Sequence, residues 1–161
     1  MKTEHKDGGW RIRTHRPPLE DSHFTATALG IKGIAEFAES AKKAEPTKRA
    51  LAWLKRTSPK STEDHAFKVL GLHWGEAKIE KQKAAEALLK LQSTDGGWSQ
   101  TTDMKSDAYA TGLALSALRQ SGALPANYPQ YKSGVKWLLD HQEPDGSWHV
   151  KTRSKPIQRY F

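Results

Sequence analysis

The sequence repeats itself, and the repeat limits the fold more than any other feature. Asp7-Gly8-Gly9-Trp10, Asp95-Gly96-Gly97-Trp98 and Asp145-Gly146-Ser147-Trp148 are three copies of one loop. Between them, Asp21, Asp64 and Asp107 stand 43 residues apart both times. Each is followed at offset seven by a small residue (Ala28, Gly71, Ala114) and at offset eight by a leucine (Leu29, Leu72, Leu115). Thr25-Ala26 and Thr111-Gly112 match at offset four, where the middle copy has Lys68 and Val69. A fixed period of this kind marks stacked supersecondary units, none of which buries its apolar face alone.

The segments between the loops read as helices. Phe24, Ala28, Ile31 and Ala35 recur at three- and four-residue steps, as do Phe67, Leu70 and Trp74, and Ala110, Leu113 and Ala117. The preceding aspartates suit an N-cap or first-turn position, where a carboxylate meets free N–H groups. The helix after Asp107 is rich in Ala and Leu on nearly every side, the composition of an inner helix. Three other stripes alternate with these: Ala50, Trp53, Leu54 and Thr57; Ala84, Ala85, Leu88, Leu91 and Gln92; Tyr131, Val135, Leu138 and Gln142. Charged residues fill their remaining faces, so they read as outer, half-exposed helices, the last two over 79–92 and 130–142. The expectation is an all-α chain of three helical hairpins, with repeats near 7–57, 58–98 and 99–148 and a tail over 149–161. No period-two strand pattern competes with it.

The loop chemistry is local. Asp-Gly gives a tight turn that uses positive φ. The following Trp folds back onto the end of the preceding helix, and a Gln before the turn bonds its backbone. Both Trp98 and Trp148 are therefore expected to bury against helix ends, clamping one hairpin to the next.

Gln92 to Trp98 and Gln142 to Trp148, with Trp10 closing a truncated copy, resemble the QW motif, in which Gln precedes Gly-x-Trp. That motif marks the superfamily of squalene and oxidosqualene cyclases and protein prenyltransferase β-subunits. The resemblance covers essentially the whole chain, with a weak middle repeat, since the link from Thr57 to Asp64 lacks Gly and Trp. It implies an α/α toroid of inner and outer helices, in which Trp10, Gln92, Gly97, Trp98, Gln142, Gly146 and Trp148 act as braces remote from chemistry. It also implies a bacterial type of protein.

Cyclase chemistry starts by protonating an alkene or epoxide, which needs a carboxylic acid kept protonated in a desolvated pocket. The family supplies it from Asp-x-Asp-Asp-Thr-Ala, the middle Asp being the donor. Asp21-Ser22-His23-Phe24-Thr25-Ala26 and Asp107-Ala108-Tyr109-Ala110-Thr111-Gly112 lie on that frame. They put His23 and Tyr109 at the donor position, and both are too weak as acids. No catalytic residue is therefore assigned. The chain lacks Cys, so the Asp/Cys/His zinc site of the prenyltransferases has no thiolate. His65 and His73 stand roughly 80° apart around one helix. No metal and no cofactor is expected. Phe24, Phe67, Trp74 and Tyr109 lie on inner helices as candidates to line an apolar cavity, with an apolar molecule as ligand.

The net charge is +8, and its excess is densest between Lys42 and Lys60. Such runs are usually solvated helix faces, and no nucleic-acid-binding fingerprint accompanies this one. No stretch is long and apolar enough to span a membrane, and no signal peptide is visible, which leaves the compartment open. The six readable helices are fewer than a closed ring needs, and both termini look cut from a longer array. The expectation is a squalene-cyclase-like segment without catalysis of its own; the alternative is a non-catalytic helical-repeat binding or scaffold module. Expected partners are the remaining repeats of its toroid or a second copy. Contact would run through Phe24, Ile31, Ile34 and Phe37 at the N-terminal edge and through the Ile157–Phe161 tail.

Overall fold

A computed structural model describes residues 5–14, 16–125 and 127–154. The chain is all-α, and the described residues form six helices: α1 His23–Phe37, α2 Ser40–Arg56, α3 Thr62–Trp74, α4 Lys78–Leu89, α5 Ala108–Gln120 and α6 Pro129–Asp140. Among the described residues the only extended pairings are isolated bridges, Arg16 with Glu20 and Ser99 with Ser106. Among the described residues no helix is long and apolar enough to cross a membrane.

The helices form two layers. α1, α3 and α5 lie in a row, α3 packing on both α1 and α5. α2 backs α1 and α3, α4 backs α3, and α6 backs α5. The core runs between the layers, where Ile31, Leu54, Val69, Leu72, Leu88, Trp98 and Leu118 are fully buried. Gly71 lets α3 approach closely, because a Cβ there would stand 2.7 Å from Leu54 and 3.0 Å from Ala28.

The caps depart in part from the aspartate reading. Asp107 caps α5, accepting from Ala110 N–H at 2.9 Å. Ser61 caps α3, and Asp64 lies in its first turn. Ser22, not Asp21, caps α1, its hydroxyl oxygen accepting from the N–H groups of Phe24 and Thr25. The inner helices start at His23, Thr62 and Ala108, so the even spacing of the aspartates does not carry over to the helix starts.

Two expected exposures are also corrected. Phe24 and Ile31 are buried, because α2 and α3 cover that side of α1, and of the four expected edge residues only Phe37 is far exposed, at 85%. On α6 the buried residues are Gly134 and Trp137, while Val135 of the expected stripe is 37% exposed. The Ile157–Phe161 tail lies outside the described residues.

Candidate functional site

The Gly-Trp loops form one joint with a repeated geometry. Trp98 folds back so that its indole N–H donates to Leu88 O at 2.9 Å, and Trp148 does the same to Leu138 O at 2.9 Å. Gln92 Nε2 donates to Gly96 O at 2.7 Å and Gln142 Nε2 to Gly146 O at 2.8 Å. The carboxylate of Asp95 accepts from Gly97 N–H, and that of Asp145 from Ser147 N–H, both at 2.9 Å. Asp7 accepts from Gly9 N–H at 3.2 Å in the N-terminal copy. One difference is large: Trp98 is fully buried, whereas Trp148 is 38% exposed. Burial of both rings was expected, but the local motif fixes only the fold-back; the cover over Trp98 comes from α5 and α6.

The joint also fixes the register of the inner helices. Trp98 N–H donates to Thr111 Oγ1 at 2.9 Å. Trp10 N–H donates to Thr27 Oγ1 at 3.0 Å, so the counterpart of Thr111 is Thr27 rather than Thr25. Matched on these threonines, the segment 23–28 overlies 107–112. On that match Thr25 stands where Tyr109 does, and His23 where Asp107 does.

Thr25 points to a residue that the sequence analysis did not single out. Its hydroxyl donates to Glu63 Oε1 at 2.6 Å, joining the first turns of α1 and α3. Glu63 is 5% exposed. Burial raises its carboxyl to about 7; the Thr25 hydrogen bond opposes the rise, Asp64 and Asp21 add to it, and Arg153 also opposes it. Burial, with Glu63 and Asp107 adding, pushes the Tyr109 phenol above its ordinary range. A signal for Glu63 was present in the sequence: it stands one turn before Ala66 and two before Leu70, on the buried side of α3.

Around Glu63 lies an open cleft of about 870 Å³, lined by Asp21, Ser22, Phe24, Trp53, Asp64 and Arg153 among others. Its walls are knitted by polar contacts. Ser22 Oγ donates to Asp64 Oδ1 at 2.6 Å, and Lys60 N–H donates to Asp64 Oδ2 at 2.8 Å. A strap of residues 151–154 crosses this end. Arg153 N–H and the hydroxyls of Thr152 and Ser154 donate to Pro17 O at 3.0 to 3.2 Å. Arg153 Nε donates to Gln100 Oε1 at 2.9 Å.

Phe24 and Trp74, two of the four candidate cavity-lining aromatics, line different pockets. Phe24 lines the Glu63 cleft and packs on Trp53, ring centroids 4.9 Å apart. Tyr109 is half-buried on α5, within electrostatic reach of Glu63. Phe67 is half-buried against the core. Trp74 lines a separate groove of about 610 Å³ with Leu51 and Thr47 at the far end of α3, and Lys32 Nζ lies 5.2 Å from its ring centroid. Among the described residues, no group of three or more His, Asp or Glu side chains is placed to hold a metal ion.

No family model matches the chain. It is similar to the squalene–hopene cyclase of Bradyrhizobium diazoefficiens, with 26% identity over 159 aligned positions. The match covers 82% of this chain and 23% of that protein, so the chain spans about a quarter of the length of the curated relative it resembles.

Proposed function

We propose that the chain is a segment of squalene-cyclase-like helical repeats, one arc of an α/α toroid, that does not cyclise polyenes by itself. The two-layered helices, the repeated Gln–Gly–Trp joint and the similarity to a squalene–hopene cyclase support the repeat reading. The observation that carries the non-catalytic reading is the register fixed by Thr27 and Thr111, which places Thr25 and Tyr109 where the resemblance calls for a carboxylic acid.

Glu63 does not replace that acid. It is held partly protonated near neutrality, but by a site that opens into a wide cleft lined with Asp, Ser, Lys and Arg. Alkene protonation needs a water-excluding apolar enclosure around the acid, so that the carbocation meets no competing base or water. The cleft offers carboxylates and hydroxyls instead.

The binding-module reading rests on a different face. Leu29, Gly33 and Phe37 follow at four-residue steps along α1; Leu29 is 51% and Phe37 85% exposed, and nothing lies within 4 Å of a Cβ built on Gly33. An apolar ligand would find contact there.

The test is incubation of the purified full chain with detergent-dispersed squalene and analysis of the extract by gas chromatography with mass detection. No cyclised product is expected. Product that disappears in Glu63→Gln would make Glu63 an acid and overturn the reading.

A further inference from the structure

The middle repeat lacks its Gly-Trp joint, and a pocket stands in that place. The other joints show what an outer helix contributes. A Cβ on Gly8 would stand 2.5 Å from Arg49 O, and one on Gly9 2.8 Å from the Trp53 ring, both on α2. A Cβ on Gly96 would stand 3.0 Å from Ser133 O, and one on Gly97 3.0 Å from the Trp137 ring, both on α6. On α6, Gln130 O also accepts from Gln92 Nε2 at 2.8 Å, and a Cβ on Gly134 would stand 2.8 Å from Trp98 Cζ3. Gln130, Ser133, Gly134 and Trp137 thus cover the Trp98 loop.

The indoles of Trp98 and Trp148 bond Leu88 O and Leu138 O, so α4 and α6 match residue for residue 50 positions apart. On that match the four covering residues become Glu80, Lys83, Ala84 and Ala87. These same four line a pocket of about 260 Å³, together with Lys55, Pro59 of the α2–α3 linker, and Lys68 and Leu72 of α3. The linker, residues 57–61, holds neither Gly nor Trp, and α4 has Ala87 where α6 has Trp137. Both rings that fill the next joint are missing here.

The pocket is apolar inside and cationic around. Leu72 is fully buried and Ala84 nearly so. Lys55, Lys68 and Lys83 line it against one carboxylate, Glu80, which Lys55 Nζ holds at 2.7 Å. Lys68 Nζ donates to Thr57 O at 2.8 Å. Burial pushes this ammonium below its ordinary range, so it lacks solvation that an anion would supply.

We propose that this pocket binds a small planar aromatic carboxylate. The ring lies on Ala84 and Leu72 as the Trp98 indole lies under Gly134, and the carboxylate meets Lys83 and Lys68. Pockets for drug-sized ligands start near ~300 Å³, so this one takes a ligand of one or two fused rings. The proposal rests on the geometry of the repeated joint and not on the absence of catalysis.

The test titrates indole-3-acetate into the 15N-labelled full chain and follows amide shifts, with tryptamine as the cation that carries the same ring. Saturable shifts centred on 65–72 and 80–87 are expected, with tryptamine about tenfold weaker. Lys83→Gln changes an exposed side chain and is expected to weaken indole-3-acetate about threefold. Ala87→Trp places an indole in the slot and is expected to abolish binding. Absence of saturable shifts at millimolar indole-3-acetate overturns the proposal, as does equal binding of tryptamine. Binding that survives Ala87→Trp, or that is undiminished in Lys83→Gln, overturns it as well.

Discussion

The Thr25 hydroxyl on α1 donates to Glu63 Oε1 on α3 across 2.6 Å, at the joint of two inner helices. This bond seats a carboxyl in a place where burial disfavours its charge, and the stability of the fold thereby becomes pH-dependent.

The sign is fixed by the direction of the shift. Burial raises the Glu63 carboxyl from 4.5 to about 7, so the folded chain holds this proton more tightly than the unfolded chain. Stability is therefore highest where both states are protonated, and it falls as pH rises from about 4.5 towards 7. A shift of this size corresponds to about 3 kcal/mol at most, and water in the open cleft lowers it to ~2 kcal/mol. Urea unfolding at pH 5 and pH 8 measures the slope. Glu63→Gln is expected to flatten it and to be more stable than the parent at pH 8.

Trp98→Ala and Trp148→Ala are expected to differ, although their loops read alike. Trp98 is fully buried, and its loss is expected to cost about 3 to 5 kcal/mol. Trp148 is 38% exposed, so its loss removes less buried surface and is expected to cost less. Denaturant midpoints of the two variants check the difference, and equal costs would show that Trp148 is covered.

Thr111→Val removes the acceptor of Trp98 N–H while preserving shape. Both groups are buried, so the N–H is left without a partner at a cost of about 1 to 3 kcal/mol. Thr27→Val strips the same bond from Trp10, which is half-buried and open to water, and is expected to cost less. Thermal melts of the two variants compare them.

The sequence carried the helices and the Gly-Trp loops because both are written in residue types that recur locally. It misplaced the cap of α1 because Asp21 and Ser22 are adjacent and both suit that role; the hydroxyl of Ser22 takes the N–H groups. It matched Thr25 to Thr111 by counting from the aspartates. The linkers before α1 and α5 differ in length, and only the bond from Trp10 to Thr27 reveals the offset. Glu63 stood on an apolar face, yet its partners come from α1 and the strap, which no local pattern announces. The exposure of Trp148 was hidden for the converse reason: its loop matches that of Trp98, and the difference lies in a helix supplied from elsewhere in the fold.

The repeated joint, closed over Trp98 and open over Trp148, is tested most directly by indole N–H exchange in a uniformly 15N-labelled chain. Both indoles donate to a helix-end carbonyl at 2.9 Å, so hydrogen bonding alone does not separate them. The Trp98 indole is expected to exchange only through unfolding of the core, and the Trp148 indole to exchange much faster, through local opening of its exposed loop. Equal, slow exchange of the two would contradict the open joint.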